Sequence, residues 1–186
     1  MSKIHWKPGT IIYPIPAVLV SCGHDPSEYN IITIAWTGTI NSTPPLCYIS
    51  VRPSRYSYDI IKRTGEFVIN LTTEELAKAT DWCGCRSGRK YNKWEKMNLT
   101  PLPGLVVKAP IIKESPVNIE CRVLNILELG SHNAFIAEVV NVSVDDQYLN
   151  DDQAFSLSKA KPIVYNHGHY FGLGKMIGKF GWSVRK

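Results

Sequence analysis

Residues 31–65 read IITIAWTGTINSTPPLCYISVRPSRYSYDIIKRTG, and the order of their parts decides the fold. Ile31 to Ile40 is rich in β-branched residues with a Thr-Gly-Thr break at 37–39, Asn41 to Pro45 is turn chemistry, and Leu46 to Val51 is a second short apolar run. Two such runs joined by a tight turn predict an antiparallel hairpin. The pattern then changes. Arg52, Ser54, Arg55 and Ser57 crowd the start of a segment, Tyr56 to Thr64, that reads as a serine-capped helix ending at Gly65. A helix N-terminus presents free N–H groups and partial positive charge. With two arginines and two serines beside it, this stretch describes a receptor for a phosphate-sized anion. The hairpin alongside offers an apolar slot and backbone edges to whatever carries the phosphate.

Outward from this stretch the chain stays β-rich. Pro16 to Gly23 reads as a buried strand, His24 to Asn30 as a polar turn and Glu66 to Leu71 as another strand. Thr72-Thr73-Glu74-Glu75 has capping-box spacing, with Thr72 as N-cap of a helix reaching Trp82. Residues 86–104 are basic and punctuated by Pro and Gly, which predicts a long surface loop with one helical turn. Val117 to Leu129 and Ala134 to Val144 are long β runs joined at Gly130-Ser131-His132-Asn133. The tail from Ser158 is aromatic and glycine-rich, too apolar to hang free, and should pack on the body or on a second subunit. Six or seven strands with two short helices argue for an antiparallel barrel rather than alternating βαβ units. No Gly-x-Gly-x-x-Gly follows a strand, and no P-loop, His-Glu-x-x-His or Gly-x-Ser-x-Gly occurs.

Composition narrows the classes further. The 186 residues are expected to form one domain, 1–186, with ordinary apolar content and a net charge of +5. No run of about twenty apolar residues exists to span a membrane as a helix. The opening MSKIHWKPGT lacks an apolar leader core, so a cytoplasmic protein is expected. The five cysteines include no Cys-x-x-Cys pair and read as free thiols, with Cys47 and Cys121 as small buried hydrophobes. Cys83 and Cys85 flank Gly84 and could cycle or bind metal, and His167-Gly-His169 could supply two ligands, but neither has partners at a metal-site spacing. No metal site is therefore expected.

Two further clusters carry chemistry. Ser87-Gly88-Arg89 with Lys93 offers a hydroxyl, a glycine that permits close backbone approach and two cations. Together with Arg52 to Ser57 it predicts convergence on one dianionic phosphate. Thr33-Ile-Ala-Trp-Thr-Gly38 can bring backbone N–H and C=O groups to the edge of a planar heterocycle. His132, in a hairpin turn, reads either as an exposed turn residue or as a hydrogen-bond donor beside a redox centre.

The run TIAWTGTINSTPPLCYISVRPSRYSYDIIKRTGEFVIN, followed by CGCRSGRKYNK, ESPVNIEC and LGSHNAFIAEVVNV, resembles the flavin reductase-like, FMN-binding split-barrel family, in the branch of flavoredoxins and NAD(P)H-dependent flavin or ferric reductases. The resemblance covers residues 15–185. It implies a mainly β fold, a six-stranded antiparallel Greek-key split barrel, assembled as a homodimer with FMN near the interface. By matching motif it implies that Thr33, Ala35, Trp36, Thr37 and Gly38 line the flavin ring, with Asn41 and Ser42 in the adjoining turn. Ser50, Val51, Arg52, Ser54, Tyr56 and Ser57 would hold the ribityl chain and phosphate. Ser87, Gly88, Arg89 and Lys93 would form a second phosphate-side loop, His132 would lie near the nicotinamide site, and Tyr170 to Gly174 would cover a neighbour's flavin.

The function expected from this is an FMN-dependent oxidoreductase taking electrons from NAD(P)H and passing them to free flavin, ferric complexes or a protein acceptor. A flavoredoxin-like carrier that exchanges electrons with redox proteins is the alternative within redox chemistry. A non-catalytic basic β-barrel binding single-stranded nucleic acid is the alternative outside it. Against that last reading, the cations gather at helix and loop entrances rather than along a groove, so no nucleic-acid partner is expected.

Overall fold

The computed structural model describes residues 1–185. Its frame is one antiparallel sheet built from β1 (Val18–Cys22), β2 (Asn30–Ile34), β3 (Thr37–Ser42), β4 (Pro45–Val51), β5 (Glu66–Asn70), β6 (Val117–Glu128) and β7 (Asn133–Val144). Their spatial order is β2-β1-β5-β6-β7-β4-β3. The two edge strands, β2 and β3, are consecutive in the chain and separated only by Ala35 and Trp36. One bent segment therefore supplies both edges and closes the sheet into a split barrel. This accounts for seven strands where six are expected. The interruption falls at Ala35-Trp36 and not at 37–39, because Thr37, Gly38 and Thr39 pair with Ile49, Tyr48 and Cys47 of β4.

Alternation along the strands sorts side chains between two cores. Val18, Val20 and Cys22 of β1 and Ile32 and Ile34 of β2 point into the barrel, where they meet Ile49, Val51, Phe67, Ile69 and Phe135. Leu19 and Ile31, on the opposite face, pack under the helical segment with Leu76, Ala79, Cys83, Trp94, Leu99 and Ile112. Each fully buried Ile, Leu, Val or Phe stabilises the fold by about 1.5–3 kcal/mol. Polar residues on these strands are tied: buried Asn70 donates to Leu19 O and to Ser21 Oγ, both at 2.9 Å.

Three helices flank the barrel: α1 (Tyr56–Thr64), α2 (Ala77–Cys85) and α3 (Lys93–Met97). The first has the expected bounds and ends at Gly65 in the left-handed region, φ 69°. The second starts later than the capping box suggests. Thr72 Oγ1 is drawn away to Ala17 O, and it is Thr73 Oγ1 that accepts from Leu76 N at 3.3 Å. The C-terminal tail packs only in part: β8 (Ile163–Asn166) and β9 (His169–Gly172) pair with each other, and β8 also pairs with Ile15–Pro16, whereas Met176, Ile177, Phe180 and Trp182 beyond them are exposed. No helix among the described residues is long and apolar enough to cross a membrane.

Candidate functional site

The barrel kink and the start of α1 lie side by side because β4 runs from one to the other. Ser50 N donates to Trp36 O at 2.9 Å, which pins the kink, and after Val51 the chain leaves the sheet. Arg55 N donates to Arg52 O at 3.0 Å and turns the chain into α1. The expected serine cap does not form. Arg55 itself occupies the N-cap in an extended conformation (φ −77°, ψ 139°), and no side chain caps the helix. The N–H groups of Tyr56 and Ser57 consequently have no acceptor among the described residues. An uncapped helix end of this kind is an anion receptor in waiting.

Around it lies a cradle of about 150 Å³. Ser54, Arg55, Ser57, Arg86, Ser87 and Lys93 supply its polar lining, with Tyr56, Gly88 and Asn30 on one wall. Ser57 is buried and accepts from Asn30 Nδ2 at 2.7 Å, which fixes its rotamer. Lys93 is not the exposed loop cation the sequence suggests. It opens α3, is 3% exposed, and donates from Nζ to Ile31 O at 2.7 Å and Cys83 O at 2.6 Å. Burial pushes its pKa down to about 8. An ammonium has three donors, so one remains for the cradle it lines. Arg89, expected beside it, does not line the cradle. Its guanidinium lies over the Tyr56 ring, 5.3 Å from the centroid, and reaches Asp59 at 3.7 Å. The cation in its place is Arg86, missed in the sequence although it stands directly before Ser87 in the same basic run.

Beside the cradle lies a slot of about 170 Å³; Ile32 and Arg55 line both, and the two adjoining cavities are together termed the trough. Thr33, Ala35, Trp36, Ser50, Val51 and Arg52 line the slot. The hydroxyl protons of the threonines are taken by backbone carbonyls: Thr33 Oγ1 donates to Thr80 O, and Thr37 Oγ1 donates to Tyr48 O at 2.6 Å. The backbone of the kink is what the strand offers. Thr37, Gly38, Asn41 and Ser42 line neither part of the trough; Asn41 and Ser42 pair with Leu46 and Pro45 at the hairpin tip. His132 does line the slot, with its ring 4.6 Å from that of Trp36. Partial burial, then the positive charges of Arg52 and Arg55, hold its pKa below the usual histidine value. A third hollow, of about 410 Å³, shares Ala35, Trp36 and Ser50 with the slot and is otherwise lined by Thr37, Tyr48, Gly9, Thr10, Ile11, Ile12 and Ile15.

The five cysteines are free, as expected. Cys83 is buried, and its thiol is pushed up to about 11 by that burial, so it is a poor nucleophile at neutral pH. No group of three or more His, Cys, Asp or Glu side chains placed to hold a metal occurs among the described residues.

A trough with an uncapped helix end, three serines and three cations at one end and a kinked β-edge at the other suits a ligand that is planar at one end and phosphorylated at the other. The family described as flavin reductase like domain matches residues 11–174. The chain belongs to that family. Among solved structures, the flavoredoxin of Desulfovibrio vulgaris (Miyazaki F) superposes with a TM-score of 0.91 at 31% identity, covering 99% of this chain and 100% of that one. A flavoredoxin from Methanosarcina acetivorans gives a TM-score of 0.89 at 28% identity, with both chains covered completely. A curated protein of Archaeoglobus fulgidus, described only as uncharacterized, is 36% identical over 137 residues, 74% of this chain and 76% of its own. Membership in the flavin reductase-like family supports a flavin-binding redox role, and the trough is the feature of this fold that suits such a cofactor.

Proposed function

We propose that this protein is an FMN-dependent oxidoreductase that draws electrons from NADH or NADPH. The observation that carries the reading is the uncapped N-terminus of α1, opening onto serines and cations in the same trough as the barrel kink. Ser54, Arg55, Ser57, Arg86, Ser87 and Lys93 would hold the phosphate, and Ser50 to Arg52 the ribityl chain. The backbone from Thr33 to Trp36 would border the ring. When bound, the flavin supplies the redox chemistry, accepting electrons from the nucleotide and releasing them to free flavin, a ferric complex or a redox protein. The chain's own groups position it and set the local charge. Trp36 and His132 border the ring end, and the neighbouring hollow beside Ile11 and Ile12 leaves room for a donor there. A cytoplasmic homodimer completes the proposal.

The likeness to two flavoredoxins favours a second reading, an electron carrier that reacts poorly with pyridine nucleotides. Anaerobic mixing of the FMN-loaded protein with NADH or NADPH separates them. Rapid bleaching of the flavin absorbance supports the reductase, whereas slow bleaching with fast reduction by a protein donor supports the carrier. A protein that takes up no flavin from solution sinks both.

A further inference from the structure

Two hollows adjoin the trough. The larger, about 510 Å³, is lined in part by Tyr29, Tyr56, Tyr91 and Trp94 and meets the cradle at Asn30, Tyr56 and Gly88. The other, about 410 Å³, meets the slot at Ala35, Trp36 and Ser50, which line both cavities. It therefore lies at the end of the trough that borders the ring in the flavin reading.

The lining of this second hollow is apolar and uncharged. Ile11, Ile12, Ile15, Ala35 and Trp36 supply its apolar part, and its polar side chains are hydroxyls, from Thr10, Thr37, Tyr48 and Ser50. No Lys, Arg, His, Asp or Glu lines it, whereas Arg52, Arg55 and His132 all line the adjoining slot. Its walls are held in place. Ser50 N donates to Trp36 O at 2.9 Å, and the Trp36 ring is braced by that of His132. The segment carrying the isoleucines is anchored where Ile15 pairs with Tyr165 and where the Tyr13 ring lies 4.1 Å from that of His167. Ile11 and Ile12 are nevertheless 56% and 86% exposed. Apolar side chains fixed beside a cavity whose volume falls in the range of about 300–1,000 Å³ of small-molecule sites, with a few hydroxyls and no charge, describe a receptor for a neutral ring. Free FMN or a charged ferric chelate fits it poorly, because this lining leaves a buried charge unpaired.

We propose that this hollow is the site of the electron acceptor and that the acceptor is a neutral quinone. A quinone meets each condition of the lining: it is planar and uncharged, accepts two electrons and presents acceptor oxygens to hydroxyl donors. Its ring would pack on Trp36 and the isoleucines. The overall reaction balances. The quinone takes up two electrons and two protons and becomes a hydroquinone; NADH or NADPH gives up a hydride, two electrons with one proton, and the second proton comes from solvent. The dihydronicotinamide ring of the donor is also neutral, so donor and acceptor would occupy the hollow in turn. This rests on the flavin reading given above and adds to it the class of acceptor, which the cradle and slot leave open.

Equilibrium dialysis of the full-length protein, loaded with FMN and kept oxidised, against duroquinone tests this without any turnover. The fully methylated ring of that quinone does not alkylate the free cysteines. The wild-type protein should retain duroquinone saturably, at about one per chain. Ile12→Asp, at an exposed position, sets a carboxylate beside the hollow and should weaken retention about tenfold. Ile11→Asp should act likewise, and both variants should keep the wild-type FMN affinity in a fluorescence titration. No saturable retention by the wild-type protein, or equal retention by both variants, overturns the quinone site while the FMN titration upholds the cradle. If those equally retaining variants also sediment as monomers where the wild type is a dimer, the hollow is filled by a second copy instead. A protein that takes up no FMN removes the flavin reading and the acceptor site with it.

Discussion

The rings of Trp36 and His132 lie 4.6 Å apart at an interplanar angle of 43°, one from the barrel kink and the other from the hairpin between β6 and β7. Nearly a hundred residues separate them, yet they border one slot with Arg52 and Arg55. His132 is thus held where partial burial first, and then two fixed cations, oppose its protonation. Its folded pKa lies below the unfolded value, so the unfolded chain binds more protons in that window and stability rises with pH across it. A flavin phosphate that neutralises the arginines should raise the His132 pKa. An NMR titration of the imidazole with and without FMN measures this, and a lower or unchanged value in the complex contradicts the placement of the phosphate beside Arg55.

Lys93 makes the cradle itself pH-sensitive. With its pKa pushed down to about 8 by burial, it begins to lose its charge at mildly alkaline pH while an FMN phosphate remains dianionic. FMN affinity should fall as pH rises through 8 and level off above it. Lys93→Met should bind FMN about tenfold to a hundredfold more weakly at pH 7, the equivalent of one charge-assisted hydrogen bond of about 1.5–3 kcal/mol, and should lose the pH dependence. Stability runs the other way: between about 8 and the model-peptide value of 10.5 the unfolded chain holds the proton that folded Lys93 has released, so folding is favoured by rising pH.

Gly88→Ala should damage the cradle from behind. Its new methyl would meet Asn30, whose Nδ2 holds Ser57 Oγ at 2.7 Å, so the serine loses its anchor when Asn30 shifts. Overpacking of this kind costs about 1–3 kcal/mol. The expected outcome is a lowered melting temperature and FMN binding at least about tenfold weaker, read by thermal denaturation and fluorescence titration. Full affinity in this variant argues that Ser57 does not contact the phosphate.

Glu120 is a structural anion remote from the cradle. Its carboxylate accepts from Leu105 N, Val106 N and Val107 N at 2.9, 2.7 and 2.8 Å and from Asn141 Nδ2 at 2.8 Å. Burial acts to raise its pKa, but these donors outweigh it and hold the carboxyl below its usual range. A depressed carboxylate contributes stability that is present at neutral pH and lost as pH falls through the folded pKa. Glu120→Gln should cost about 2–3 kcal/mol at pH 7 and flatten the acid limb of the stability curve, as measured by urea unfolding at several pH values. FMN affinity should not change.

The split between what could be read and what could not follows range of interaction. Helix α1 and its Gly65 terminus, the long β6–β7 hairpin and the buried β1 strand were legible because period, turn residues and caps act within a few residues. The serine cap does not form because Arg55 takes the N-cap position between the two serines, and Ser57, already inside the helix, is held by Asn30, far away in sequence. Lys93 looks like any loop cation until α3 folds under β2 and buries it against Ile31 O and Cys83 O. Arg86 and Arg89 sit three apart in one basic run, and nothing local says which enters the cradle and which stacks on Tyr56.

By itself, then, the sequence determined a β-barrel with a basic, serine-rich helix start, because strand alternation and helix termini are written in neighbouring residues. The tertiary structure alone decided that the barrel closes through a two-residue kink, which cations line the cradle and that an aromatic hollow adjoins it. Those depend on contacts between segments tens of residues apart, where the closing strand and buried hydrogen bonds, not local propensity, choose each side chain's direction.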